Sequence, residues 1–398
     1  MSNSSDQEFL VFGAPVIGEE EIAEVVACLR SGWIGTGPRV AQFERDFAVD
    51  KKLPHVAAVN SCTAALHLSL LAAGLEPGDE VITTPLTFCA TVNAIIHAGA
   101  TPVLADVNPV TMNLDPARVA EQITPRTRAI VPVHFAGRAC DMEALMALAA
   151  KHGLKVIEDC AHAIETERHG VGAGQWGDFS CFSFYATKNM TTGEGGMVAA
   201  KREEDIAKVK RLALHGMSKD AWKRFGDDGY KHYSVVETGF KYNMMDLQAA
   251  LGIHQLRSLP RNWERRARIW ARYLEAFADL PLTLPAPVEP STRHAFHLFT
   301  PLIDAARCGL SRDQFLEAMT HAKLGVGVHY LSLPEHPVYQ TRFGWRPEDY
   351  PHAMRIGRQT ASLPLSAKLT EENVERVVRT VRQILHRLPG FLPRRGGA

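Results

Sequence analysis

The chain has 398 residues, 46% of them hydrophobic and 22% charged, which is the composition of a globular enzyme and excludes a disordered or fibrous protein. It carries 44 basic and 44 acidic side chains, so no overall field favours nucleic acid or an anionic membrane, and an anionic ligand would need a local site. The length exceeds what one hydrophobic core usually organises, and we expect a large domain over residues 1–258 and a smaller one over 259–398.

The first half of the large domain alternates short β-branched runs with amphipathic helical runs. Helices are predicted to begin at Thr63 and Ala90 and to span 142–152. The predicted strands between them are 56–60, 80–84, 102–107, 129–133 and 155–158. Such alternation is typical of a largely parallel sheet with helices on both faces.

The second half of this domain contributes two more predicted strands, 179–185 and 196–200, which make seven in all. A charged helix follows from Glu203 to about His215. Residues 216–238 are polar and have no clear period. Loops of that length inside a compact domain are usually functional or mobile.

The remaining chain is predicted to be helical at first and then mixed. Helices over 245–256 and 261–277 lead into a small α+β domain, in which Ser311 and Gln314 form a candidate capping box. An apolar stripe marks the last helix and consists of Val374, Val377, Val381 and Ile384. The overall prediction is an α/β protein, with a mostly parallel seven-stranded sheet in its large domain and a smaller α+β C-terminal domain.

The cysteines and the first residues bear on the compartment. Seven cysteines are present, an odd number, and none is spaced as C-x-x-C, which argues against a disulfide framework or a zinc ribbon. Residues 1–7 are polar and lack an apolar targeting core, and no later apolar stretch is long enough to cross a bilayer. We therefore expect a cytoplasmic protein without membrane insertion.

The strand over 155–158 is followed at its carboxyl end by an acid, Asp159. In a doubly wound sheet, ligands bind beyond the carboxyl ends of the strands, which suits Asp159 to a binding role. A buried carboxylate there can keep a pyridinium nitrogen protonated, so that a cofactor ring accepts electrons from a carbanion. The alternative for an acid at a strand end is a helix cap or a turn residue.

Lys188 lies between a predicted strand and the glycine cluster at 193–196, near the same edge of the sheet. A lysine amine forms a Schiff base when part of its population is neutral, which a partly desolvated site promotes. An ordinary surface lysine is the alternative. The glycines allow the backbone to approach a bulky ligand, although they also suit any tight turn.

Residues 61–64 close a strand and open a helix. The free amides at such a helix start bind phosphate, which makes Thr63 and Ala64 candidates for a phosphate cradle. Ser61 or Thr63 as a simple N-cap is the alternative. Phe88, in the loop after the strand over 80–84, could stack on a planar ring or belong to the core.

Two apparent motifs are set aside. Residues 172–177 match G-x-G-x-x-G, but no apolar strand precedes them and a strand follows them, so the context of a dinucleotide site is missing. Glu158, Asp159, His162 and Glu165 could be taken for a metal cluster, yet no second ligand group at a known spacing supports one. We therefore assign no metal.

Taken in chain order, these pieces resemble the signature set of the DegT/StrS sugar aminotransferases. The set comprises Ser61-Cys62-Thr63-Ala64, Phe88, Glu158-Asp159-x-x-His162, Ser183-Phe184-x-x-x-Lys188 and Gly193-Glu194-Gly195-Gly196. Residues 31–38 and 239–243 add further matches, so that the resemblance covers nearly the whole chain. It implies the fold-type I architecture of aspartate aminotransferase.

The resemblance implies pyridoxal 5'-phosphate as the cofactor. Lys188 would hold it through a Schiff base, Asp159 would pair with the pyridinium nitrogen, and His162 would lie near the ring oxygen. The other implied contacts are Thr63, Ala64 and Ser183 at the phosphate, Phe88 on the ring, and Asn243 at the phosphate of the neighbouring subunit's cofactor. The working unit would then be a homodimer with shared active sites.

Residues 294–299, 307–313 and 325–330 are most similar to members of the family that form UDP-4-amino-4-deoxy-L-arabinose. The similarity implies a nucleotide-linked 4-keto sugar as amino acceptor and L-glutamate as donor, in surface polysaccharide or lipopolysaccharide biosynthesis. Candidate substrate contacts are Trp33, His215 and His329, beside the polar segment 216–238. A histidine at a helix end is as often structural.

Three alternatives stay open at this point. The acceptor could be a 3-keto sugar nucleotide, because the position that is aminated depends on pocket shape. The protein could be a sensor or regulator that keeps the fold and the pocket without turnover. It could also be a metal-dependent hydrolase that uses Asp159 and His162.

Overall fold

The structure is a computed structural model that describes residues 8–218 and 234–385. The α-helices are α1 Glu19–Ser31, α2 Pro38–Lys51, α3 Cys62–Ala72, α4 Cys89–His97, α5 Pro116–Gln122, α6 Met142–His152, α7 Glu203–Ala213, α8 Asp246–Phe277, α9 Ala305–Cys308, α10 Arg312–His321, α11 Pro337–Phe343, α12 Pro351–Gln359 and α13 Glu371–Leu385. The strands are β1 His55–Val59, β2 Glu80–Thr83, β3 Thr101–Leu104, β4 Thr127–Val131, β5 Lys155–Asp159, β6 Glu167–Arg168, β7 Val171–Gly172, β8 Phe179–Ser183, β9 Gly196–Ala200 and β10 Thr292–Arg293.

Seven strands form the main sheet in the order β1-β9-β8-β5-β4-β2-β3. Pairing is antiparallel on both sides of β9 and parallel between the other neighbours, so six strands share one direction. The carboxyl ends of β1, β2, β5 and β8 therefore meet at one edge of the sheet. The prediction of a mostly parallel, seven-stranded sheet is confirmed, with element bounds that differ from the predicted ones by a few residues.

Both faces of this sheet are buried. Along β1, Ala57 and Val59 pack with α3 and α7 on one face, whereas Val56 and Ala58 pack with α2 and α8 on the other. Alternate side chains of a strand point to opposite faces, so a continuous apolar run can fill two cores at once. Short β-branched runs of this kind are therefore typical of a sheet that helices cover on both sides.

One helix replaces the two that the sequence predicts over 245–256 and 261–277. α8 runs without interruption from Asp246 to Phe277, through Pro260. A proline inside a helix removes one backbone hydrogen bond, but the buried side chains of Leu256, Leu259 and Asn262 hold both halves against the core. The domain boundary expected after residue 258 falls within this helix and stays a prediction.

The C-terminal part has a hydrophobic core of its own, to which the end of α8 contributes Tyr273 and Phe277. Its predicted local features are confirmed, since Ser311 and Gln314 form a capping box at α10 and the predicted stripe of α13 is buried. The small sheet of β10, β6 and β7 joins this part to the large one. Within the described residues, no helix combines the length and the apolar character that a membrane span requires.

Candidate active site

A cavity of about 550 Å³ opens at the carboxyl ends of the parallel strands. Seven of the predicted site residues line it, namely Thr63, Phe88, Asp159, His162, Ser183 and Lys188 and, from the C-terminal part, His329. These positions are separated by up to 266 residues in the chain and meet because each follows a strand or packs against the same sheet edge. The structure thus brings most of the predicted site residues to one place.

Lys188 lies in the tight loop after β8, where its backbone N–H donates to the Tyr185 carbonyl at 2.9 Å. Burial lowers the pKa of its amine from 10.5 to about 8, while the nearby Cys62 and Asp159 act in the opposite direction. Desolvation disfavours the charged form of an amine. A sizeable share of this lysine is consequently neutral near physiological pH, and a neutral amine can act as a nucleophile.

Asp159, the last residue of β5, is 4% exposed. One carboxylate oxygen accepts from the Ala161 N–H at 3.1 Å and the other from the Thr91 hydroxyl at 2.9 Å. Burial raises the pKa of Asp159, and these two donors and the Lys188 charge oppose that rise. A carboxylate held in this way can pair with a cation placed in the cavity.

His162 is held by hydrogen bonds at both ring nitrogens. Its Nδ1 accepts from the Ala136 N–H at 3.3 Å, and its Nε2 lies 2.9 Å from the Tyr330 hydroxyl. Burial lowers the pKa of His162 well below the ordinary value, and the charges of Lys188 and His329 lower it further. The imidazole is therefore neutral and serves as a fixed hydrogen-bonding group.

The start of α3 points into the cavity through Ser61, Cys62 and Thr63. Ser61 caps the helix and accepts the Ala64 N–H at 3.1 Å, so that this amide is already engaged and Ala64 does not line the cavity. The first amides of a helix lack helical acceptors and attract anions. Thr63 and Ser183 thus lie where an anionic group would be bound.

Gly196, at the start of β9, lets the strand pass close to the beginning of α3. A Cβ atom at this position would lie 2.6 Å from the Ser61 carbonyl carbon and 2.7 Å from the Cys62 nitrogen. Both neighbours are backbone atoms and cannot move aside without shifting the helix start. The glycine cluster predicted beside Lys188 therefore has a definite steric function at Gly196.

Besides Ala64, three predicted residues lie outside this cavity. Trp33 and Asn243 line a second cavity of about 410 Å³, in which Asn243 Nδ2 donates to the Thr36 hydroxyl at 2.5 Å and the side-chain oxygen of Asn243 is buried without a partner among the described residues. His215 is exposed and lines neither cavity. Most of the predicted polar segment, residues 219–233, lies outside the described residues.

The sequence missed two residues that contact the site. Thr91, in the first turn of α4, donates to Asp159 and also bonds to Thr87 at 2.9 Å. The sequence signals it only as a threonine at the start of the helix predicted from Ala90. Tyr330 directly follows His329, so its position was within a quoted motif, but its contact with His162 depends on packing alone.

The two motifs that were set aside have structural explanations. Glu158 accepts the backbone N–H groups of Gly174, Trp176 and Gly177 at 2.7–2.9 Å, which uses the amides of the glycine-rich loop. Among residues 8–218 and 234–385, the one group with metal-ligand geometry is His134, Glu158 and Cys160. Asp159 and His162 do not belong to it, and hydrogen bonds with the three amides and His134 already occupy Glu158.

Comparison with known proteins agrees with this site. The model of the DegT/DnrJ/EryC1/StrS aminotransferase family matches residues 15–382. The spore coat polysaccharide biosynthesis protein SpsC of Bacillus subtilis is 47% identical over 378 residues, which are 95% of this chain and 97% of SpsC.

Solved structures are similar over almost the whole fold. The PLP form of Spr1654 from Streptococcus pneumoniae is 32% identical, with a TM-score of 0.88 over 95% of this chain and 99% of that one. PseC of Helicobacter pylori, an aminotransferase involved in the biosynthesis of pseudoaminic acid, is 29% identical, with a TM-score of 0.88 over 96% and 100% of the two chains. These similarities confirm the fold-type I class that the sequence motifs implied.

Proposed function

This chain belongs to the DegT/DnrJ/EryC1/StrS aminotransferase family, and we propose that it transfers the amino group of L-glutamate to a nucleotide-linked 4-keto sugar. It is a pyridoxal-phosphate-dependent aminotransferase, as the family and the similar solved structures are. A place in surface polysaccharide or lipopolysaccharide biosynthesis is part of the proposal, and the similarity to SpsC, a spore coat polysaccharide biosynthesis protein, supports the first of these.

One observation carries the proposal: the Lys188 amine and the Asp159 carboxylate line the same cavity, beside a helix start that attracts anions. The residues present fit pyridoxal phosphate, since the partly neutral amine of Lys188, the buried carboxylate of Asp159 and the start of α3 occur together at one cavity. When bound, pyridoxal phosphate supplies a ring that withdraws electrons from the carbon bearing the amino group.

In this proposal Asp159 keeps the proton on the ring nitrogen. Its buried carboxylate is oriented by Thr91 and Ala161, so it stays in place while charge develops in the ring. A preorganised charge in a water-poor site stabilises such charge more strongly than water would. Thr63 and Ser183 would bind the phosphate at the other end, and Phe88 would cover one side of the ring.

Lys188 has two duties in the proposal. Its neutral form would hold the cofactor, and the same amine, when free, would move a proton on and off the substrate carbon. An amine whose pKa is about 8 can accept and return a proton near neutral pH, because its two protonation states are close in free energy. Glutamate and the keto sugar would use the same cavity in turn.

Half-reactions followed by visible absorption test this proposal. Purified protein loaded with the cofactor is expected to lose its yellow colour with L-glutamate and to regain it with a 4-keto sugar nucleotide. A panel of 4-keto and 3-keto sugar nucleotides then identifies the acceptor. A protein that binds no pyridoxal phosphate, or whose colour L-glutamate leaves unchanged, would contradict the proposal. If the colour returns with 3-keto sugar nucleotides alone, the aminated carbon is C-3 and not C-4.

We also propose a homodimer in which each subunit completes the other's site. On α1, Ile22, Val26 and Leu29 expose one apolar stripe at helical spacing, and the neighbouring Trp33 is 46% exposed. Trp33 shares a cavity with Asn243, whose buried side-chain oxygen has no partner among the described residues, and such a surface fits a second copy of this chain.

Mixing two inactive variants tests the shared sites. Lys188→Ala and Asn243→Asp subunits, unfolded and refolded together, are expected to regain part of the activity, because one site in each mixed dimer then has both native residues. Each variant refolded alone serves as the control. A monomer in light scattering, or no recovery in a mixture shown to contain mixed dimers, would disprove shared sites without affecting the transamination proposal.

A further inference from the structure

Tyr330 lines the cavity beside Lys188 and Phe88, on the wall that the C-terminal part provides. Its ring centroid lies 6.0 Å from that of Phe88 and 5.9 Å from that of His162, to which it is nearly parallel. Its hydroxyl lies 2.9 Å from His162 Nε2. The direction of this hydrogen bond decides what the hydroxyl can offer to a bound molecule.

The surroundings of His162 fix that direction. Its Nδ1 accepts the backbone N–H of Ala136, so Nδ1 carries no proton. The imidazole is neutral because burial holds its pKa well below the ordinary value. A neutral imidazole has one N–H, which must then be on Nε2 and must donate to the Tyr330 oxygen.

The proton of the Tyr330 hydroxyl is therefore not used in the hydrogen bond with His162. Within the part of the chain that the structure describes, His162 is the one hydrogen-bond partner found for this hydroxyl. Burial also raises the pKa of Tyr330, so the phenol stays protonated at neutral pH. A protonated hydroxyl at the cavity wall, with no acceptor among the described residues, offers its hydrogen bond to a molecule in the cavity.

We propose that Tyr330 donates this hydrogen bond to the ring oxygen of the cofactor and that His162 acts through it as a positioning residue. The proposal rests on the proposed function, and it revises the contact between His162 and the ring oxygen that the family resemblance implies. Both nitrogens of His162 are engaged within the protein, whereas the Tyr330 hydroxyl is available. Tyr330 also lies beside Phe88, the candidate stacking residue, in the same cavity.

The position of the His162 proton can be measured without any cofactor. In protein labelled with ¹⁵N at histidine, the signals of His162 are assigned by their loss in the His162→Gln variant. We expect the proton on Nε2 and a chemical shift for Nδ1 that is typical of an acceptor. A proton on Nδ1 would mean that Tyr330 donates to His162, and it would overturn the proposal.

The second measurement is the pH dependence of the visible absorption of cofactor-loaded protein without substrate. A hydrogen bond to the ring oxygen stabilises its deprotonated form, so the Tyr330→Phe variant should raise the midpoint of the absorption change by about one pH unit. The phenylalanine keeps the ring packing and removes only the hydroxyl. Tyr339→Phe is the matched control, because Tyr339 donates to Asn93 at 2.8 Å, and Tyr339 does not line the cavity.

The remaining outcomes decide between the inference and the proposed function. An unchanged midpoint in Tyr330→Phe overturns the inference, and a raised KM for the keto sugar in that case assigns the hydroxyl to the substrate instead. If wild-type protein fails to bind pyridoxal phosphate, the proposed function fails as well. If wild-type protein transaminates normally and Tyr330→Phe shows the same midpoint, only the inference is lost.

Discussion

The two walls of the cavity differ in how the chain builds them. The sheet wall consists of residues that directly follow strands, such as Asp159 after β5 and Lys188 in the loop after β8. The opposite wall is the segment with His329 and Tyr330, and the hydrogen bond between Tyr330 and His162 joins residues 168 positions apart. Topology dictates the first wall, whereas only the packing of the C-terminal part against the sheet creates the second.

The two walls also differ in charge. The sheet wall places a lysine and a carboxylate in one buried site, where each opposes the pKa shift that burial causes in the other. The second wall is kept uncharged, because burial lowers the pKa of His329 to about 4 and raises that of Tyr330. Charges that can move protons are thus separated from neutral groups that can recognise a ligand, and the predictions below test this division.

The largest effect is expected from Lys188→Ala. Loss of both the binding amine and the proton carrier should lower kcat by about 10⁴-fold, since general acid and base catalysis alone contributes up to about 10⁴-fold. Turnover with L-glutamate and a keto sugar measures it. Lys201→Ala is the control, because Lys201 is an exposed lysine that directly follows β9. Activity within tenfold of wild type would mean that the sheet wall does not carry the chemistry.

Asp159→Asn should reduce kcat by about 10³-fold with little change in cofactor loading. The amide keeps the shape but removes the charge that holds the ring-nitrogen proton, and a buried charged pair typically contributes about 2–5 kcal/mol. The absorption spectrum reports loading and the half-reaction reports rate. Retention of the full rate would show that the carboxylate only supports the fold.

The pH dependence of cofactor binding follows from the Lys188 pKa of about 8. A lowered lysine pKa means that the amine loses its proton as the pH rises through 8, so the rate of cofactor attachment to the cofactor-free protein should rise roughly 50-fold from pH 6 to 8 and then level off. Stopped-flow absorption measures the rate. With Nα-acetyl-lysine as the control amine, the rate of cofactor attachment should continue to rise above pH 9. The same rise above pH 9 in the protein would refute the lowered pKa of Lys188.

Gly196→Ala should weaken cofactor affinity by about tenfold. The added Cβ would force apart β9 and the first turn of α3, whose backbone atoms lie 2.6–2.7 Å from it, and overpacking of this kind is usually costly. Equilibrium dialysis gives the affinity. Gly172→Ala is the matched control, because the atoms nearest to its Cβ belong to the Gln175 side chain and not to the backbone. Equal cofactor affinity in the two variants would mean that the start of α3 does not bind the phosphate.

The smallest effect is expected on the second wall. His329→Asn should raise the KM for the keto sugar by about fivefold and leave kcat almost unchanged, because a neutral hydrogen bond contributes about 1 kcal/mol. Steady-state kinetics separate the two constants, and His321→Asn on the exposed surface of α10 is the control. A drop in kcat of similar size to that of Asp159→Asn would contradict the division between the walls.

Element types were largely predictable where local pattern and tertiary burial agree. The seven strands have apolar runs, and β9 and α6 have the predicted bounds. Helices α1, α2 and α5 were not predicted, and the two helices expected around Pro260 are one, because long-range packing keeps α8 continuous across the proline. The helix propensity of one residue contributes less to the free energy of folding than the burial of a whole helix face.

By itself, the sequence determined the fold class and the residues of the sheet wall, because strand ends are local features and parallel strands must bring their carboxyl ends together. Only the tertiary structure decided that Thr91 orients Asp159, that Gly196 touches the start of α3, and that Tyr330 meets His162. It also separated Trp33 and Asn243 from the main cavity. Contacts between distant segments depend on packing in three dimensions, which no local pattern in the chain encodes.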